Sequence, residues 1–106
     1  MLIIDDIRLL CKDETIQITQ HLQLRMREHK IKYDDVINVI VTGEIIEQYP
    51  EDYPYPSCLV LGYTQDRNHL HVVCGVGNGI LWLITAYYPD PNKWETDHKT
   101  RKVHEL

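Results

Sequence analysis

The strongest constraint on this chain is a change of period at Gly43. Before it, apolar residues recur every three or four positions; after it they alternate every second position, between short clusters of Gly, Pro, Asn and Asp. The first regime makes amphipathic helices and the second makes strands joined by tight turns. A chain of this kind must lay helices from its first part over a sheet built from its second.

Within the first part, Ile3, Ile4, Ile7, Leu10 and Cys11 trace a helical stripe over residues 3 to 12, with Asp5 and Asp6 in the first turn. Residues 15 to 19 alternate and read either as a brief strand or as an extended lead-in. Thr19 suits the N-cap of a helix over residues 20 to 29, and Val36, Ile37, Val39, Ile40 and Val41 mark another over 33 to 42, stopped by Gly43 and started by Lys32 or Asp34. Beyond Gly43, strands are expected at 44 to 49, 57 to 64, 69 to 76 and 80 to 88. The prolines of residues 50 to 56 forbid a regular element between the first two, and residues 89 to 106 read as irregular, with Trp94 packed down. Three successive hairpins imply an antiparallel meander. The expected architecture is α+β: one domain over residues 1 to 106, with N-terminal helices packed on one face of a four-stranded antiparallel sheet.

Length and charge narrow the function. At 106 residues the chain has room for one core, and 11 Lys and Arg against 16 Asp and Glu leave a net charge of −5, which excludes a generally basic nucleic-acid surface. No apolar run approaches the ~20 residues that span a bilayer, and Asp5 and Asp6 interrupt any signal-like start, so a cytoplasmic location and no membrane partner are expected. Three dispersed cysteines without a CxxC fit neither a disulfide framework nor a zinc knuckle and read as reduced thiols.

Three constellations can carry chemistry. His21, Arg25 and His29 share one face of the second helix, joining groups that titrate near neutrality to a fixed fork for phosphate. The plain alternative is a solvated polar face. His69 and His71 share one face of the third strand of the meander, and Thr85 and Tyr87 one face of the fourth. Zinc on the histidine pair would need further ligands that no recognised spacing supplies, and Cys74 has the opposite parity, so neither metal nor cofactor is expected. In the tail, His98, Lys99, Arg101, Lys102 and His104 concentrate positive charge that can hold a phosphodiester locally, or can simply be solvated. Glu44, Glu47, Glu51 and Asp52 read as a solvated edge that discourages strand aggregation.

Five ordered blocks carry a resemblance: HLQLRM from His21, HKIKYDDV from His29, GEIIEQYPEDYPYPSCLVLG from Gly43, HLHVVCGV from His69 and LITAYYPDPNKW from Leu83. Over about residues 16 to 103 the chain resembles a domain-of-unknown-function family of short prokaryotic proteins. His29 departs from the Arg usual there. That family looks like RelE-type ribonuclease toxins of the Barnase, EndoU, Colicin E5 and RelE fold group, often encoded beside a small zinc-finger antitoxin of the MqsA or YgiT kind. The resemblance implies a toxin that cleaves RNA, free or ribosome-bound, without metal, with that antitoxin as partner. Such cleavage needs a base for the 2′-OH proton, a cation for the phosphate and an acid for the leaving 5′-oxygen. His21, Arg25, His71 and Tyr87 are then the expected catalytic set, and His29, Thr85, Lys99 and Arg101 the expected substrate contacts. Because RNA-gripping toxins are usually basic, the acidic balance favours a rival: a non-enzymatic interaction module, or a degenerate domain that keeps the fold without the chemistry.

Overall fold

The computed structural model describes residues 1–103; His104, counted above in the basic tail, lies outside the described residues. The chain begins with helix α1 (Ile4–Leu9), strand β1 (Ile16–Ile18), helix α2 (Gln20–His29) and helix α3 (Tyr33–Thr42). Strands β2 (Glu44–Tyr49), β3 (Ser57–Tyr63), β4 (His69–Gly77) and β5 (Ile80–Tyr87) follow, as the change of period at Gly43 requires. The fold is α+β.

The sheet corrects one expectation. It has five strands in the order β1-β5-β4-β3-β2, and β1 runs parallel to β5 through the pairs Ile16 with Leu81 and Ile18 with Leu83. The four later strands pair antiparallel with their sequence neighbours. Residues 15 to 19 are therefore the edge of a mixed sheet. The hydroxyl of Thr19 joins that edge to α2: its Oγ1 accepts from the Leu22 N–H at 3.1 Å while its own proton goes to the Ile84 carbonyl at 2.7 Å. The helix cap and the β1–β5 seam are thereby one structure.

All three helices share one core with one face of the sheet. Leu22 of α2 packs with Leu81 and Leu83, and Val36, Val39 and Ile40 of α3 pack with Val60, Leu70 and Val72. Helix α1 leans on α3, where Arg8 donates to the carbonyls of Ile40 and Gly43 at 3.2 and 2.8 Å and satisfies the helix C-terminus. Gly43 stops α3 for a reason other than the left-handed turn expected of a C-terminal glycine, since its φ is −83°. A Cβ there would sit 2.4 Å from the carbonyl oxygens of Val39 and Leu61, so the residue is small because two backbones meet.

Strand alternation then decides the other face. Cys58, Val60, Leu70, Val72, Cys74, Leu83 and Ala86 turn toward the helices. Their neighbours Leu59, Leu61, His71, Val73 and Tyr87 turn away from them. Between Val73 and Cys74 the register skips Ile84, a bulge that sets Ile84 and Thr85 together on the helix-free face. Two segments wall this face. At one end the loop of residues 50–56 lays the Tyr55 ring over Gly77, where a Cβ would meet the ring at 2.0 Å. Toward the other end, residues 89–101 cross the sheet as a strap.

Candidate functional site

Beneath the strap, β4 and β5 bring His71 directly opposite Tyr87, and β2 contributes Glu47 and Tyr49. Trp94 and Arg101 come down from the strap, which holds its own shape by the pairing of Trp94 with Arg101 and by bonds that Thr100 donates to the Asp97 carboxylate. The rings of Tyr87 and Trp94 meet the His71 ring edge-on, with centroids 5.2 and 4.5 Å away. The Arg101 guanidinium stacks 4.6 Å above Trp94 and forms a two-pronged bond to Glu47, at 2.8 and 3.0 Å. Glu47 also accepts from the Tyr49 hydroxyl. A second ion pair, Lys99 to Glu44 at 2.8 Å, fastens the strap further along β2.

His71 is the centre of this cluster and is fully buried. Its Nε2–H donates to the His98 carbonyl at 2.7 Å, which leaves Nδ1 as a buried acceptor with no partner. Burial holds its pKa below the usual histidine value, opposed by the hydrogen bond to His98 and by the charge of Glu47. The ring is thus held neutral, with Nδ1 free to accept a proton. Burial raises the Tyr87 phenol, which keeps its proton at neutral pH, and the bond from Arg101 holds Glu47 ionised below the ordinary carboxylate range. A neutral imidazole, a protonated phenol and a guanidinium thus share one small volume.

The expected catalytic set does not assemble as a quartet. His71 and Tyr87 meet, whereas His21 and Arg25 ride on α2, which packs against the opposite face of the sheet through Leu22. The sheet stands between the two pairs. The charged groups that act on His71 are Glu47, His98 and Arg101. Arg25 instead turns along its own helix, 3.4 Å from the exposed His29 and 3.9 Å from Glu28. His29 therefore belongs with that surface. Among the substrate contacts expected elsewhere, Thr85 lies on the helix-free face opposite Val73, while Lys99 and Arg101 are the two anchors of the strap.

Other residues of the cluster differ from what the sequence alone suggests or leave no mark in it. Glu47 and Glu44 are the strap's partners rather than a free solvated edge, and Tyr49 carried no signal of its own. Excess acid on β2 and excess base in the tail were the only clue to that pairing. His69 shares a face with His71, as its spacing implied, but stacks on His98 with ring centroids 3.7 Å apart. Among the described residues no group of three or more His, Cys, Asp and Glu side chains is placed to hold a metal ion. No described helix is long and apolar enough to cross a membrane.

Fold and site together define a small α+β domain with an acid–base cluster on the helix-free face of a mixed sheet, closed by a C-terminal strap. The chain belongs to the family described as Domain of unknown function (DUF4258), whose model matches residues 18–88. That span includes His71 and Tyr87 and stops short of Trp94, His98, Lys99 and Arg101. No curated protein and no solved structure matches the chain.

Proposed function

We propose that this domain is a ribonuclease of the toxin type, similar in role to RelE-like toxins, and that its chemistry takes place on the helix-free face of the sheet. One observation carries the reading: the buried Nδ1 of His71 has no partner although it lies beside a phenol and a guanidinium. An unsatisfied polar atom in a packed interior is costly, and its retention calls for a use.

In the proposed reaction the Arg101–Glu47 pair opens and RNA enters beside His71, while residues 89 to 98 of the strap stay on the sheet. His71, neutral at pH 7, accepts the 2′-OH proton as that oxygen attacks phosphorus. Arg101, released from Glu47, stabilises the charge on the phosphoryl oxygens. Tyr87 gives its proton to the departing 5′-oxygen as the P–O5′ bond breaks. The products are a 2′,3′-cyclic phosphate and a free 5′-OH. His21, Arg25 and His29 take no part. The proposed partner is a small zinc-finger antitoxin that silences this site in a cytoplasmic setting.

The cover over His71 favours one other reading, an interaction module in which the cluster only holds the strap down. Induced expression in a bacterium, with and without the neighbouring gene, separates the two. The ribonuclease reading expects growth arrest, transcripts ending in cyclic phosphate, and relief by the neighbour. Growth unaffected at high expression, with intact transcripts, would sink it and leave the module.

A further inference from the structure

The strap does more than cover His71: its outer edge forms a groove with the loop between β3 and β4. The groove has a volume of about 380 Å³ and is lined by Arg67, Asn68, His69, Tyr88, Pro89 and His98. That is within the ~300–1,000 Å³ range of small-ligand sites. No carboxylate lines it, although the chain as a whole is acidic. Among the described residues Arg67 makes no ion pair, in contrast to Arg25, Lys99 and Arg101.

Three features mark the groove as more than a surface dip. The His69 ring is held on both sides, by His98 at 3.7 Å and nearly parallel, and by Tyr63 at 4.6 Å. The His98 Nδ1 is a second buried nitrogen without a partner. Arg67 and His98 both have left-handed backbone, with φ of 65° and 61°, conformations that residues with side chains adopt under constraint. An exposed guanidinium, from Arg67, and the imidazoles of His69 and His98 line the groove together with Tyr88, itself partly exposed, and Pro89.

We infer that this groove binds one nucleoside monophosphate unit, with the phosphate on Arg67 and the His69–His98 pair and the base against Tyr88 and Pro89. The inference rests on the ribonuclease reading and deepens it, by assigning the nucleotide next to the bond that is cut. His98 joins the two sites, since its ring lines the groove while its carbonyl receives the His71 proton donor. His69 and His71 lie two positions apart on β4, about 6.8 Å along the strand. Aromatic faces accept any base, so the groove is expected to prefer nucleotides over phosphate without strong sequence preference.

The test is a side-chain NMR titration of the full chain with adenosine 5′-monophosphate and, separately, inorganic phosphate. The nucleotide is expected to shift the ring signals of His69, His98 and Tyr88. It should bind at least tenfold more tightly than phosphate, and at least tenfold more weakly to Arg67→Ala and to Tyr88→Leu. Equal affinity for phosphate and nucleotide, or shifts confined to other residues, would overturn the inference. RNA incubated with the same samples keeps the two claims apart. Nucleotide binding here with RNA left intact removes the cleavage reading and leaves the groove as a nucleotide site. Cleaved RNA with no shift at these rings removes the groove alone.

Discussion

Replacing His71 by alanine changes stability as well as chemistry. Read from sequence alone, a polar residue on a strand face would be exposed and cheap to remove. The structure buries it completely, so that expectation is reversed. Deletion strands the His98 carbonyl, at a cost of about 1–3 kcal/mol. It also opens a hole between the rings of Tyr87 and Trp94, worth roughly 2 kcal/mol for a side chain smaller than the aromatic deletions that cost about 3–5. Removing the unpartnered Nδ1 returns part of this, about 1 kcal/mol. The net loss is about 3 kcal/mol, which in a domain of this size lowers the melting temperature by roughly 12–24 °C. Urea and thermal unfolding followed by circular dichroism measure it, with His71→Phe as the control that keeps a ring and loses the donor. The phenylalanine variant should fall between wild type and alanine. A loss under about 1 kcal/mol for His71→Ala would refute the reasoning, because the imidazole would then be neither packed nor bonded as described.

His21→Ala, exposed on α2, and Arg25→Ala, half-buried beside it, are expected to stay within about 0.5 kcal/mol of wild type in the same unfolding assay. The pH dependence of stability should carry the mark of His71. Its pKa is lowered in the fold, so its contribution is complete above the unfolded value of about 6.5 and is lost as pH falls toward the folded value. A stability curve for His71→Phe that keeps the full wild-type slope in that window would contradict this. A double-mutant cycle of Glu47→Gln and Arg101→Gln should give a coupling of about 1 kcal/mol at most, because Arg101 is more than half exposed and solvent screens the pair. That coupling should vanish as pH falls through the lowered pKa of Glu47, and a coupling unchanged at acid pH would count against it. Gly77→Ala drives a methyl into the Tyr55 ring and is expected to destabilise by about 1–3 kcal/mol, with much of the loss recovered in the Tyr55→Ala background. Additive losses in the pair would show that the ring is not the obstacle.

Much of the fold was legible because its signals are local. Thr19, Gly43 and the apolar stripe of residues 36 to 41 place α2 and α3 at the residues expected, and the proline and glycine clusters separate β2, β3, β4 and β5 within a residue or so of their observed ends. The parallel seam of β1 was not legible as such. Three residues pair there with a strand more than sixty positions away, and nothing near Ile16 in the chain says so. The site divides in the same way. Alternation put His71 and Tyr87 on faces that could meet, and they do. Helical spacing put His21 beside Arg25 on one face of α2, but spacing has no information about which side of the sheet that helix covers. The strap looks irregular in the sequence because its order comes from Arg101 to Glu47, Lys99 to Glu44 and the bond between His71 and His98, each contact spanning tens of residues.

In the proposed reaction the reacting groups lie under the strap and not on α2. Tyr87→Phe tests it most directly, since the change keeps the ring that packs on His71 and removes only the proposed acid. RNA cleavage by purified protein should be compared for wild type, Tyr87→Phe and the double variant His21→Ala with Arg25→Ala, with the product ends mapped. Wild type is expected to leave cyclic-phosphate ends, Tyr87→Phe to lose about 10²-fold or more, and the α2 double variant to cleave near-normally. Full cleavage by Tyr87→Phe together with loss in the α2 variant would contradict that placement.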